Sequence, residues 1–229
     1  MSSLCIITAR GGSKRIPRKN IRDFLGKPII AYSIEAALKS EIFDEVMVST
    51  DDEEIAQVAR EYGANVPFMR SSATANDFAS TRDVLLEVLE EYEKRGKTFD
   101  FFSCIYPTAP FVTAEKLKAA FNKLKNSDAD ELTPVIPFSF PPQRAFVIQD
   151  GNLVFQYPEF RLSRSQDLQP IYHDCGQFYF YRTDIFRGGK TGTGKCLPLI
   201  MPEEETQDID NFSDWALAEI KYEKFIMKK

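Results

Sequence analysis

Leu4-Cys5-Ile6-Ile7-Thr8-Ala9-Arg10-Gly11-Gly12-Ser13-Lys14-Arg15-Ile16-Pro17-Arg18-Lys19-Asn20 is the stretch that decides the fold. A short apolar run, Leu4 to Ala9, stops at a glycine pair, as expected of a strand buried on both faces of a parallel sheet. The loop after it holds five basic residues and no acidic one between Arg10 and Lys19. Gly11 and Gly12 let a backbone approach a phosphate and turn its N–H groups inward. Lysine and arginine supply the charge to hold a polyphosphate. A solvated basic loop is the bland alternative. The glycines and the strand end favour phosphate binding. The loop is not a dinucleotide fingerprint, because G-x-G-x-x-G is absent.

Outward from this loop, strand and helix signals alternate. Helical spacing runs from Pro28 to Leu38, with Pro28 suited to a first turn. Glu45 to Ser49 reads as a strand, and Thr50-Asp51-Asp52-Glu53 as a capping box opening a helix to about Tyr62. Thr81 to Tyr92 is a helix with Leu85, Val88, Leu89 and Tyr92 on one face. Phe101 to Tyr106 is a strand, Thr113 to Leu124 a helix, and Glu131 to Ile136 a strand. Gln177 to Tyr181 reads as an aromatic strand and Trp215 to Phe225 as a closing helix. This rhythm predicts an open, mostly parallel sheet covered on both faces. Ligands then bind beyond the carboxyl ends of the strands, at loops 10–20, 49–53 and 106–110. Residues 137–170 break the rhythm with five prolines and a hairpin signal at Asp150-Gly151-Asn152. They read as an excursion from one main domain spanning 1–229, suited to a dimer arm.

Bulk numbers bound the function. The chain has 229 residues, 43% hydrophobic and 28% charged, with net charge −5. An acidic protein does not fit general nucleic-acid attraction, yet a local anion site remains open to it. Cys5, Cys104, Cys175 and Cys196 show no metal-binding spacing, and a reduced cytoplasmic protein is the simplest reading. Leu4 to Ala9 is too short for a signal-peptide core, and no stretch approaches a membrane span.

Three further features carry chemistry. Gly189-Lys190-Thr191-Gly192-Thr193-Gly194-Lys195-Cys196 approaches a P-loop. It ends in cysteine where Mg²⁺ needs Ser or Thr, and Pro198 opposes the required helix, so a surface loop is the better reading. Asp208-Ile209-Asp210 brings two carboxylates close enough to share Mg²⁺ beside a polyphosphate; helix capping is the alternative. His173 is the one histidine and no G-x-S-x-G occurs, which leaves a hydrolase triad without support. Arg161, Arg164 or Arg70 can hold a carboxylate by a bidentate contact.

Taken together, Ala9–Asn20, Ser49-Thr50-Asp51-Asp52, Pro107-Thr108-Ala109-Pro110, Gly176–Tyr179 and Asp208-Ile209-Asp210 resemble the CMP-sialic acid synthetase (acylneuraminate cytidylyltransferase) family, in family order over nearly the whole chain. The resemblance implies a Rossmann-like three-layer nucleotidyltransferase, a homodimer, and a role for 137–170 as the dimerisation arm. It implies that Arg10, Ser13, Lys14 and Lys19, with Gly11 and Gly12, hold the triphosphate. Asn20, Arg70 and Thr81 would approach the cytidine, and Asp208 and Asp210 would hold Mg²⁺. Tyr106, Gln177 and Tyr179, with Arg164 from the arm, would meet the sugar. The family usually has serine at the place of Thr81. It usually has glutamine where Tyr106 stands and Asn-Gly where Cys175-Gly176 stands. Losing those amides suits a less hydroxylated sugar, since unpaired buried amides are costly. Phe140–Ala145 and Tyr172–Tyr179 resemble bacterial pseudaminic acid cytidylyltransferases, and pseudaminic acid is a 5,7-diamino-trideoxy sugar ending in a methyl group. The implied reaction is attack by the sugar's anomeric hydroxyl on the α-phosphorus of CTP, with Arg10 and Lys14 stabilising the departing pyrophosphate. Other ulosonic acids (N-acetylneuraminate, legionaminate, 3-deoxy-octulosonate) and a non-catalytic nucleotide-binding protein are the alternatives.

Overall fold

The computed structural model describes residues 1–189 and 194–227. In chain order the elements are β1 (Ser3–Thr8), β2 (Asp23–Phe24), β3 (Lys27–Pro28), α1 (Ile29–Ser40), β4 (Glu45–Ser49), α2 (Glu53–Glu61), α3 (Thr81–Lys94), β5 (Phe101–Ile105), α4 (Ala114–Lys125), β6 (Glu131–Pro137), β7 (Phe146–Gln149), β8 (Asn152–Phe155), β9 (Tyr172–Asp174), β10 (Phe178–Arg182), α5 (Thr183–Arg187), β11 (Cys196–Ile200) and α6 (Phe212–Phe225).

Alternation along the strands builds three layers. Side chains of successive strand residues face opposite sides. Cys5 and Ile7 of β1 therefore pack with Ile30, Ile34 and Leu117 of α1 and α4. Leu4 and Ile6 pack with Leu85, Val88, Leu89 and Tyr92 of α3. Strand β5 divides the same way, Phe101 and Ile105 to one face, Phe102 and Cys104 to the other. Each buried Leu or Ile contributes roughly 2 kcal/mol. A third cluster, Phe24, Tyr32, Phe111 and Trp215, docks α6 against α1 through edge-on rings.

The sheet order is β11-β6-β10-β5-β1-β4, with β9 pairing β6. Strands β1, β4 and β5 are parallel, and β6 with β11 continues that direction, whereas β10 runs against both its neighbours. This is the mostly parallel sheet that the alternation predicts, in the Rossmann-like form that the resemblance implies. The reversal of β10 has a consequence for the site. Its first residue, Phe178, lies opposite Ile105, the last of β5, so the turn before β10 reaches the edge where the parallel strands end.

Local corrections have physical causes. Pro28 sits one residue before α1 in extended backbone, rather than in the first turn. Helix α2 is capped by Asp52, whose Oδ1 accepts from the Ile55 N–H at 3.1 Å, not by a Thr50 box. A capping box does occur at α3, between Ser80 and Asp83, and another at α6, between Asn211 and Asp214, which starts that helix at Phe212 rather than Trp215. The hairpin β7–β8 forms a separate two-stranded sheet, turning at Asp150 and Gly151, both at positive φ as a primed turn requires. Of the P-loop-like run, residues 190–193 lie outside the described residues; α5 precedes it and β11 follows, the reverse of strand–loop–helix order.

Candidate active site

Where β1 and β5 end, a cleft of about 560 Å³ opens. Thr8 closes β1 at its floor, and the basic loop forms one wall. The loop holds its shape by internal bonds. The Asn20 amide donates to the Arg10 carbonyl at 2.8 Å, and the Gly11 N–H donates to Asp51 Oδ1 at 3.0 Å. Gly11 passes so close to α2 that a Cβ there would lie 2.7 Å from Asp52 Oδ2. Arg18, at φ 55°, grips Asp52 with both terminal nitrogens, at 2.5 and 3.0 Å. That fork draws Asp52 below the usual carboxylate range. The 49–53 loop thus serves as a brace for the basic loop.

Into the cleft project Arg10, Ser13, Lys14, Arg15, Lys19 and Asn20 from this loop, and Asp208 and Asp210 from the segment before α6. Lys19 is half-buried: its ammonium donates to the Ile209 carbonyl at 2.8 Å and stands 3.9 Å from Asp210 Oδ1. Burial lowers its pKa, opposed by the two aspartates. Arg15 reaches Asp210 at 2.6 Å. Asp208 is raised above the ordinary aspartate value, first by burial and then by the charge of Asp210. Asp208 and Asp210, two neighbouring carboxylates of which the second raises the first, face a cleft lined by basic side chains, and all-oxygen donors of this kind suit a hard dication.

The opposite wall comes from Arg70, the 74–79 segment and the start of α3. Arg70 is buried and fixed on Ser49, Nε to Oγ at 3.1 Å and a terminal nitrogen to the carbonyl at 2.6 Å. Thr81 faces Tyr106 across 3.5 Å between hydroxyls. Asp77 bridges the two walls: it accepts from Arg10 at 2.6 Å and from Lys14 at 2.5 Å. Beyond Tyr106, the ring of Tyr179 meets that of Tyr106 edge-on at 5.7 Å, and its hydroxyl donates to Asp174 at 2.5 Å. Gln177 is buried behind them. Its carbonyl accepts from the Tyr106 N–H, its side-chain N–H₂ donates to the Glu205 carbonyl, and its side-chain oxygen has no partner among the described residues.

The cytidylyltransferase family model matches residues 4–186, from the first strand past the aromatic one. The chain belongs to the cytidylyltransferase family. Among its relatives, a pseudaminic acid cytidylyltransferase of Campylobacter jejuni is 43% identical over 230 residues, covering 97% of each chain. A CMP-N,N'-diacetyllegionaminic acid synthase of Legionella pneumophila is 36% identical, covering 96% of this chain and 95% of the relative. A solved CMP:2-keto-3-deoxy-manno-octonic acid synthetase complexed with CTP superposes with a TM-score of 0.71 at 20% identity, covering 98% of each chain, which shows a shared fold. The resemblance carried by Ala9–Asn20 and the later motifs is borne out.

For a cytidylyltransferase, this geometry gathers most of the sequence-named residues. Arg10, Ser13, Lys14, Lys19, Asn20, Arg70, Thr81, Tyr106, Asp208 and Asp210 line one cleft. Gly11 and Gly12 form the loop's bend. Tyr179 and Gln177 stand behind Tyr106. Arg164 does not line the cleft; it is exposed on the excursion, where it precedes a short 3₁₀ turn. Asp77, Arg15 and Asp174 were not singled out by sequence. Arg15 was readable as part of the basic run, but no local pattern ties Asp77 to Arg10 and Lys14, more than 60 positions away, and the bonds of Asp174 to Gly176 and Tyr179 follow no named motif.

Proposed function

We propose that this chain makes a CMP-sugar and pyrophosphate from CTP and pseudaminic acid. The observation that carries the reading is the meeting, in one cleft, of a cationic glycine loop, a repelling carboxylate pair and an aromatic wall behind Tyr106. The identity to the Campylobacter jejuni relative favours pseudaminic acid among the ulosonic acids. Arg10, Ser13, Lys14 and Lys19 would bind the triphosphate, and Arg10 and Lys14 would hold charge on the departing pyrophosphate. Asn20, Arg70 and Thr81 would position the cytidine. The anomeric hydroxyl would attack the α-phosphorus directly, so catalysis comes from orientation and charge stabilisation, without a covalent intermediate.

Asp208 and Asp210 would hold Mg²⁺. A bound Mg²⁺ neutralises phosphate charge facing the nucleophile. The reading extends to a cytoplasmic homodimer. Residues 137–170 expose Phe140, Ile148, Leu153 and Leu162, an apolar set suited to burial against a second copy. The thiols are free among the described residues, in keeping with a reducing compartment.

The test is pyrophosphate release from CTP and Mg²⁺ with pseudaminic, N,N'-diacetyllegionaminic, N-acetylneuraminic and 3-deoxy-octulosonic acids offered in parallel. Turnover with pseudaminic acid far above the others is expected. Turnover with none of them, in a protein that still binds CTP, overturns the reading.

A further inference from the structure

Strand β9 ends at Asp174, at the point where the chain returns from its excursion to the sheet. The Asp174 carboxylate is fixed at both oxygens. Oδ2 accepts from the Tyr179 hydroxyl at 2.5 Å, and Oδ1 accepts from the Gly176 N–H at 2.7 Å. Even so, Asp174 is exposed. Its two anchors lead to the cleft from different sides. Tyr179 touches Tyr106, a cleft residue, ring to ring. Gly176, at φ +61°, passes so near Asp208 that a Cβ would lie 3.8 Å from its Cγ. Asp174 therefore lies behind the cleft wall at its Tyr106 end, with the Tyr179 and Tyr106 rings between it and the cleft on one flank and Gly176 between it and Asp208 on the other.

A carboxylate accepts hydrogen bonds and donates none, and each oxygen keeps acceptor capacity after one bond. Held rigidly, it loses little freedom when a ligand arrives. Its charge repels the carboxylate of an acidic sugar and favours N–H donors. A sugar bound with its acid group toward the cations would leave its amino substituents to meet this end. Here Cys175 is buried, with its thiol donating to the Pro134 carbonyl, and Asp174 supplies acceptors alone.

We propose that Asp174, positioned by Tyr179, determines sugar specificity by accepting a hydrogen bond from an acylamino N–H of the nonulosonic acid. The inference rests on the CMP-sugar reading above and names the group on the sugar that is read. Tyr179 is a positioning residue in this arrangement.

Steady-state kinetics with diacetylated pseudaminic acid test it, alongside calorimetric binding of CTP. Asp174→Ala should raise KM for the sugar at least about tenfold, the scale of a charged hydrogen bond, with CTP affinity within twofold of the parent. Asp174→Asn should fall between the two, since its amide oxygen still accepts, and Tyr179→Phe should raise the sugar KM a few-fold. Sugar analogues bearing hydrogen in place of one acetamido group supply a readout that a structural defect would not move. For one of the two analogues, the parent and Asp174→Ala should have the same KM. CTP binding by each variant reports that it is folded. A sugar KM within twofold of the parent in Asp174→Ala, or an undiminished Asp174→Ala effect with both analogues, overturns this inference alone. Absence of turnover by the unsubstituted chain with any of the four acidic sugars overturns the functional reading and this inference with it.

Discussion

The Arg10 guanidinium donates to the Asp77 carboxylate at 2.6 Å across the cleft, and Lys14 meets the same carboxylate at 2.5 Å. Both cations belong to the basic loop, so Asp77 occupies with protein charge the place that the proposed triphosphate would take. Those two cations hold Asp77 below the ordinary aspartate range. Its segment is shaped locally: the Asn76 side-chain oxygen accepts from the N–H groups of Phe78 and Ala79, at 2.8 and 3.0 Å. A triphosphate must displace this carboxylate or bind beside it. Exposed ion pairs are weak and easily exchanged, so Asp77→Asn should tighten CTP binding by no more than about fivefold in calorimetry. Weaker binding would instead show that Asp77 contributes to holding the nucleotide.

Lys14 and Asp210 bear on the chemical step differently. Lys14 has Asp77 as its ion-pair partner and is otherwise exposed, so its removal disturbs little of the fold. Asp210 is tied to Arg15 and faces Lys19. Lys14→Ala and Asp210→Ala are each expected to lower kcat about 10²-fold or more, the scale of losing a central electrostatic contact. Single-turnover pyrophosphate release checks both. A folded Asp210→Ala protein with the parent's Mg²⁺-dependent rate would remove the metal assignment.

Much of this was legible because it is local. The run Leu4–Asn20 contains a strand, its end and the loop's charge, and the turn at Asp150-Gly151 states its own geometry. The antiparallel direction of β10 was not legible, because Phe178–Arg182 is buried like a parallel strand and its partners β5 and β6 lie far away in sequence. Strand β11 was hidden by Pro198, which a strand tolerates here because β11 pairs on one side only, with β6. Asp52 looked like an ordinary member of a capping box; that it also braces Arg18 depends on contact across 34 residues. Asp77 carries no pattern at all, since its meaning comes from two cations that the fold places opposite it.

The glycine pair of the loop is not symmetric. At Gly11 a Cβ would lie 2.7, 3.0 and 3.2 Å from Asp52 Oδ2, Cβ and Cγ, and Asp52 is locked by Arg18 and by its cap on α2. At Gly12 a Cβ would meet nothing within 4 Å. Gly11→Ala should therefore destabilise the protein by about 1–3 kcal/mol, the range for overpacking, whereas Gly12→Ala should unfold close to the parent. Urea unfolding of both variants checks this. Equal loss in the two would show that the loop's own flexibility, not the approach to α2, is what glycine serves.

Acid stability follows from Asp52. Its folded-state pKa is depressed, chiefly by the Arg18 hydrogen bonds and further by the Ile55 N–H. In the unfolded chain it titrates near 3.9. The unfolded state then binds the proton more readily, so stability rises with pH through this interval. The contribution is complete above about pH 4–5 and is lost as pH falls through the lower folded value. Asp52→Asn keeps a side-chain oxygen for the Ile55 N–H but gives up the charge pair with Arg18. Relative to the parent it should be less stable at pH 7, by up to about 1 kcal/mol once solvent screening of the pair is allowed for, with the gap narrowing below about pH 4. Urea midpoints from pH 7 to pH 3 read this directly. A gap that stays constant across that range would assign the role of Asp52 to helix capping and packing against Gly11, and none of it to its ion pair with Arg18.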